Sequence, residues 1–208
     1  LPATKDEVEE IGKTFTDNED KLLLTHTDAS ERYIKSINEP KNVHIATHGF
    51  FLEDLDFSAD QDDGVQKYIE NPLLRSGIIL SGATNYLQTG ESVDGKEDGI
   101  LTAFEVMNLN FDQTDLVVLS ACETGLGTVK NGEGVYGLQR AFLVAGANAL
   151  VMSLWNVDDE ATKDLMVEFY RQLQITGNKQ EAFKNAQSKM KEKYTYPYYW
   201  AAFVMIGG

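Results

Sequence analysis

The chain has 208 residues, of which 33 are acidic and 18 are basic, so its formal net charge is −15. This length suits one domain with a single core, and a hydrophobic content of 42% excludes a chain that is mainly disordered. The acidic balance argues against direct nucleic-acid binding, because that affinity comes from Lys and Arg on phosphates. A single cysteine excludes an intrachain disulfide and a zinc site built from several thiolates.

The sequence shows no signal for insertion into a membrane or for secretion. No apolar run approaches the roughly 20 residues that a membrane-spanning helix needs. The opening residues LPATKDEVEE have neither the basic nor the apolar region of a signal peptide. We therefore expect a cytoplasmic protein that does not contact membranes. Because the sequence begins without Met, we also expect it to be a fragment of a longer protein.

Helical and extended patterns alternate along the chain. Helical spacing of apolar residues predicts helices over 5–15, 28–37 (with Thr27 as N-cap), 102–109, 134–145, 162–173 and 180–193. Short apolar runs predict strands over 43–47, 77–81, 116–120 and 149–154, with a brief run at 22–24 and a last strand within 200–206. The runs LVVLS and ALVMSLW do not alternate with polar residues, which is typical of strands buried on both faces. The prediction is an α/β fold in three layers, with a mostly parallel sheet between helices.

Two segments are predicted to be surface loops on this single domain, 52–64 and 90–99. The first is rich in Asp, but its spacing does not fit the calcium-binding loop of an EF-hand. The glycine-bearing segment 125–134 lacks the Gly-Lys-Ser/Thr of a phosphate-binding loop. We therefore expect neither a metal nor a cofactor.

Candidate chemistry lies at two predicted strand ends. The strand 43–47 leads into His48 and Gly49, and the strand 116–120 delivers Cys122. If these strands are neighbours, about 4.8 Å apart, both side chains face one crevice beyond the sheet. A histidine beside a thiol makes a nucleophile, and backbone N–H groups of Gly49 and Cys122 would serve as oxyanion donors. A buried cysteine and an ordinary His-Gly turn remain the alternative from these residues alone.

The motifs THGF around His48 and SACETG around Cys122, the run GEGVYGLQRAFLVAGANALVMSLWNVDDEAT and the closing WAAFVMIGG resemble the CHAT domain over nearly the whole chain. This family is caspase-like, and its members are usually attached to tetratricopeptide repeats (TPR). The resemblance implies a caspase-hemoglobinase fold, a catalytic dyad of His48 and Cys122, and a thioester intermediate. It further implies a protein substrate, regulation by upstream repeats or a partner protein, and a role in bacterial stress, developmental or defence programmes.

The same resemblance suggests substrate-binding residues. Ser120 stands two residues before Cys122, where related peptidases line the S1 pocket, and Trp155 and Asp158 follow the next strand, where caspases form a substrate wall. Asp158 is alternatively the cap of the following helix. His44 is predicted either to orient His48 or to be a hydrogen-bonded core residue.

Two other function classes compete with a peptidase. An inactive caspase-like scaffold that binds proteins is the alternative function. An α/β-hydrolase-type esterase is disfavoured, because its Gly-x-Ser-x-Gly motif is absent and the histidine precedes the nucleophile.

Overall fold

The computed structural model describes residues 2–15, 21–51, 71, 73–93, 95–120, 133–156 and 158–208. The helices are α1 Pro2–Thr14, α2 Glu31–Ser36, α3 Ala83–Thr89, α4 Ala103–Val106, α5 Glu133–Val144, α6 Asp159–Thr176, α7 Lys179–Lys193 and α8 Pro197–Trp200, with a 3-10 helix at His26–Asp28. The strands are β1 Asn42–Ile45, β2 His48–Phe51, β3 Ser76–Ile79, β4 Ile100–Thr102, β5 Leu116–Leu119, β6 Ala149–Ser153 and β7 Phe203–Gly207.

The central sheet has the order β1-β5-β6-β7 among the described residues. Strands β1, β5 and β6 run parallel, and β7 is antiparallel to β6. Leu119 is opposite Ile45 on one side and Met152 on the other, so the three parallel strands end level with one another. All residues of β5 and β6 are buried, as their continuous apolar runs predicted.

Helices cover both faces of this sheet, and alternate residues of its strands enter two cores. Helices α1, α6 and α7 pack against the face made by Leu116, Val118, Ala149 and Val151. Helices α2, α4 and α5 pack against the face made by Val117, Leu119, Leu150 and Met152. The period-2 alternation of strands assigns successive side chains to opposite layers. The predicted mostly parallel sheet between helices is therefore confirmed.

The predicted strand 43–47 is wrong at its carboxyl end. Strand β1 stops at Ile45, and His48 begins β2, which belongs to a second sheet of order β2-β3-β4 within the described part of the chain. This sheet is antiparallel, with His48 opposite Ile79. The chain therefore passes from the central sheet to this second sheet between Ile45 and His48. Apolar periodicity reports burial and cannot reveal which sheet a strand joins.

The small sheet requires a glycine in its middle strand. A Cβ on Gly77 would lie 2.6 Å from the carbonyl oxygen of Leu101 and 2.8 Å from the Phe50 ring. Such distances are well inside van der Waals contact, so only glycine allows β3 to approach both neighbours.

Several helix boundaries differ from the predicted ones because capping side chains decide them. Helix α2 begins at Glu31 rather than at 28, since the Ser30 hydroxyl, not Thr27, accepts the N–H of Tyr33 at 3.3 Å. The run 22–24 forms no strand. Helix α3 was not predicted, because its residues beyond Ala83 are exposed and show no apolar face.

Only one of the two predicted loops falls within the described part of the chain. Segment 90–99, described except for residue 94, connects α3 to β4, whereas 52–64 lies outside the described residues. Within the described part of the chain, the helices are too short or too polar to cross a bilayer.

Candidate active site

The carboxyl ends of β1 and β5 form the edge at which the predicted site lies. The two strands are parallel neighbours in register, and the Ser120 N–H donates to the Ile45 carbonyl oxygen at 2.9 Å. His48 and Cys122 can face one crevice only if the strands before them are neighbours. The structure shows that these two strands are neighbours. This edge is where open α/β sheets bind ligands.

His48 lies just beyond this edge, three residues after Ile45. Its side chain is exposed, and its ring has no hydrogen-bond partner among the described residues. Its backbone is held against β3, because His48 pairs with Ile79 and the preceding Thr47 hydroxyl donates to the Ile79 carbonyl oxygen. The imidazole thus combines solvent access with a fixed backbone. Gly49 follows within β2, is buried and lies opposite Ile78.

Cys122 lies outside the described residues, so its sequence prediction remains a prediction. Ser120 is the last described residue before it and follows the carboxyl end of β5 directly. The Ser120 side chain is only 5% exposed, and its hydroxyl has no hydrogen-bond partner within the described part of the chain. Buried hydroxyls normally form a hydrogen bond, so we expect this one to bond to another group at the sheet edge.

Trp155 stands at the same edge, two residues after β6 ends. Its ring is half-buried, and its indole N–H donates to the carbonyl oxygen of Tyr198 in α8 at 3.1 Å. Because β7 is antiparallel to β6, the segment that precedes β7 also lies at the carboxyl edge of β6. Tyr196 and Tyr198 are 70% and 49% exposed there. Nothing in the sequence joined Tyr198 to Trp155, since 43 residues separate them.

Asp158 caps helix α6. Its Oδ1 accepts the backbone N–H groups of Glu160 and Ala161, both at 3.0 Å. The carboxylate also faces the positive end of the helix dipole, together with the acidic side chains of the first turn. The capping alternative for Asp158 is therefore confirmed as its structural role, and contact with substrate remains a prediction.

His44 does not contact His48. Its Nε2 lies 2.9 Å from Oε1 of Glu7 in α1, and its Nδ1 lies 3.2 Å from the hydroxyl of Tyr170 in α6. Burial, and then the negative charge of Glu7, raises the pKa of the Tyr170 phenol, so that hydroxyl keeps its proton. His44 is thus a hydrogen-bonded core residue on the helix face of β1. Because β1 ends at Ile45 and His48 begins β2, the two histidines do not lie on one continuous strand.

Among the described residues, one group of carboxylates is close enough together to be considered as a metal site. Oxygen atoms of Glu31, Glu97 and Glu105 lie within 4.8 Å of one another. The ammonium of Lys35 already occupies the space between them, with Nζ 2.5, 2.8 and 2.9 Å from the three carboxylates. Burial raises the pKa of Glu31 to about 7, although hydrogen bonds from Lys35 and the Gly99 N–H oppose the shift. This cluster, named here the Lys35 cluster, is an internal ion-pair network.

The whole chain, residues 1–208, matches the CHAT domain. It is 35% identical over 186 residues to mouse tetratricopeptide repeat protein 28, an alignment that covers 85% of this chain and 7% of that protein. It is 36% identical over 199 residues to the human protein of the same name, covering 89% of this chain and 8% of that protein. The chain therefore spans less than a tenth of the length of these relatives. The match over the full sequence, together with the helix-covered parallel sheet, shows that the chain belongs to the CHAT domain family.

Proposed function

We propose that this domain is a cysteine endopeptidase in which Cys122 is the nucleophile and His48 transfers protons. The observation that carries the proposal is the parallel, in-register pairing of β1 with β5. It brings Ile45, three residues before His48, and Ser120, two residues before Cys122, to the same edge of one sheet. The caspase-like character of the family supports the same reaction.

Chain connectivity supports the pairing of the two side chains. Cys122 follows Ser120 by two residues, and two residues of extended chain span about 7 Å at most. Neighbouring strands lie about 4.8 Å apart, so a crevice between the ends of β1 and β5 is within reach of both side chains. The exposed imidazole of His48 is free to turn towards a thiol, since no described residue binds its ring.

The proposed reaction proceeds in two halves. His48 accepts the proton of the Cys122 thiol, and the sulfur attacks the scissile carbonyl carbon, forming a C–S bond. The resulting oxyanion is stabilised by the N–H groups of Gly49 and Cys122. When the C–N bond breaks, the imidazolium gives its proton to the leaving amine. Water then attacks the thioester with His48 as general base, and the carboxylic acid and the thiol are released.

Three residues are proposed to contact the substrate. The Ser120 hydroxyl, which has no hydrogen-bond partner among the described residues, offers a polar, uncharged surface to the P1 side chain. The half-exposed ring of Trp155 offers an apolar surface, and the second carboxylate oxygen of Asp158 a site for a basic side chain. No carboxylate stands at the position of Ser120, so that position supplies no strong preference for a basic P1 residue.

We further propose that the domain is part of a longer cytoplasmic protein whose repeats recruit the substrate or the trigger. The relatives that carry this domain are named for tetratricopeptide repeats and are more than ten times its length. Repeat arrays offer extended protein-binding surfaces. Cleavage of one cognate protein therefore fits the domain better than general digestion.

The proposal is tested with the full-length protein and a fluorogenic peptide library, comparing wild type with Cys122→Ala and His48→Ala. We expect both variants to lose cleavage and Cys122→Ala to lose labelling by a peptidyl chloromethyl ketone. Equal cleavage by wild type and Cys122→Ala would refute the dyad. A Cys122 thiol no more reactive than free cysteine, in protein purified with its cognate partner, would favour the inactive scaffold instead.

A further inference from the structure

The docking face of helix α1 contains a buried carboxylate. The Glu7 side chain is only 3% exposed, and Ile11, one turn further along, is 6% exposed and packs into the core against α6. A buried ionised carboxylate is costly unless a specific partner compensates it. That partner is His44, whose Nε2 lies 2.9 Å from Oε1 of Glu7.

The two contacts of His44 fix the orientation of its ring. With the Nε2 proton directed at Glu7, Nδ1 accepts the hydroxyl proton of Tyr170 across 3.2 Å. The Tyr170 ring also meets the imidazole edge-on, with ring centroids 5.5 Å apart. The imidazole of this β1 residue is therefore held by two helices, α1 and α6.

Strand β1 connects this network to the proposed site along the chain. His44 is the third residue of β1, and the chain reaches His48 four residues later. An apolar residue at position 7 would pack without orienting the imidazole, whereas a carboxylate bonded to one ring nitrogen fixes the direction of the ring. We propose that Glu7 and His44 are positioning residues for His48, so that docking of α1 sets the geometry of the proposed catalytic site. This inference rests on the proposed function.

The three histidines of the chain make a direct experiment possible, because the ring spectrum contains only His26, His44 and His48. The variant Glu7→Gln is made in the full-length protein, with the histidine rings labelled in this domain only. The substitution keeps the size of the side chain and removes its charge. We expect the ring resonances of His44 and His48 to move and that of His26 to stay. Glu9→Gln is the matched control, since Glu9 lies on the same helix, is 44% exposed and pairs with Lys5 at 3.6 Å. It should leave all three resonances unchanged.

A second variant keeps the test decisive if Glu7→Gln does not fold. Tyr170→Phe removes only the hydroxyl on the other side of the His44 ring and should give the same pattern. In either folded variant, a His44 resonance that moves while the His48 resonance stays would overturn the proposal.

Peptide cleavage measured in parallel separates this inference from the proposed function. We expect Glu7→Gln to lower kcat about tenfold and to change KM less than about twofold, as a displaced proton-transfer group would. An unchanged kcat in folded Glu7→Gln contradicts the positioning role. Wild type that cleaves no faster than Cys122→Ala refutes the peptidase, and the His48 resonance then decides the positioning by itself.

Discussion

Ser120 donates its backbone N–H to the carbonyl oxygen of Ile45 at 2.9 Å, one residue beyond the last paired residue of β5. The two strands are therefore still hydrogen-bonded at the point where each leaves the sheet. Because this hydrogen bond joins main-chain atoms, it holds the two strand ends together independently of the side chains at the edge. The site is thus built on the most buried part of the domain, where β5 is fully covered on both faces.

The Lys35 cluster predicts a pH-dependent change in stability. Burial raises the pKa of Glu31 from 4.5 to about 7, so its contribution to stability is complete below about pH 4.5 and is lost as the pH rises through 7. Glu31→Gln cannot titrate and avoids this loss. Between pH 5 and pH 8, we expect the variant to gain about 2 kcal/mol in free energy of unfolding relative to wild type. Urea unfolding at both pH values measures the gain.

The control for this experiment is Glu9→Gln, which removes an exposed carboxylate. A difference between Glu31→Gln and wild type that is the same at pH 5 and pH 8 would show that Glu31 does not titrate in this range.

Asp158 is predicted to have two separable roles. Asp158→Ala removes the acceptor of the Glu160 and Ala161 N–H groups, and should cost about 1 kcal/mol of unfolding free energy. Asp158→Asn keeps a capping oxygen and should cost much less. If the carboxylate also binds substrate, Asp158→Asn will cleave peptides with basic side chains less well while its thermal unfolding stays near that of wild type. Unchanged selectivity in Asp158→Asn would leave Asp158 with the cap alone.

Gly77 is predicted to be intolerant of any side chain. Gly77→Ala places a Cβ 2.6 Å from the Leu101 carbonyl oxygen and 2.8 Å from the Phe50 ring, which should destabilise the protein by about 1–3 kcal/mol. Gly12→Ala in α1 is the control, because nothing lies within 4 Å of its Cβ. That change should instead stabilise by about 0.5–1 kcal/mol, since alanine favours a helix over glycine. Equal unfolding midpoints for the two variants would contradict the close approach of β3 to β2 and β4.

Trp155 and Tyr198 are predicted to influence substrate affinity more than turnover. Trp155→Ala removes the half-exposed ring and its N–H bond to Tyr198, so we expect KM to rise about tenfold with kcat changed less. Phe104→Ala is the control, since Phe104 is another aromatic residue accessible to solvent, 49% exposed, and lies in α4. A KM that rises as much in Phe104→Ala as in Trp155→Ala would argue against a substrate surface at this edge.

Much of the fold could be read from local patterns. The continuous apolar runs at 116–120 and 149–154 gave strands within one residue of β5 and β6, because burial on both faces leaves no room for polar residues. The helices α6 and α7 followed from apolar spacing. Helix ends were less accurate, as the capping by Ser30 instead of Thr27 illustrates, since several hydroxyls along a chain can begin a helix.

The candidate site was predictable only in part. His48 and Ser120 stand near the ends of predicted strands and could be found from the sequence. Glu7 could not, although it lies one turn before Ile11 on the same side of α1, because a glutamate in a helix is normally exposed.

By itself, the sequence determined the two strands that are buried on both faces, most of the helices, and that a histidine and a cysteine each follow an apolar run. Apolar periodicity is a local property and carries that information in a few neighbouring residues. Only the tertiary structure decided that β1 lies beside β5, that the chain changes sheets between Ile45 and His48, and that Glu7 meets His44. These pairings join residues far apart in the chain, and they depend on how whole layers pack rather than on any single segment.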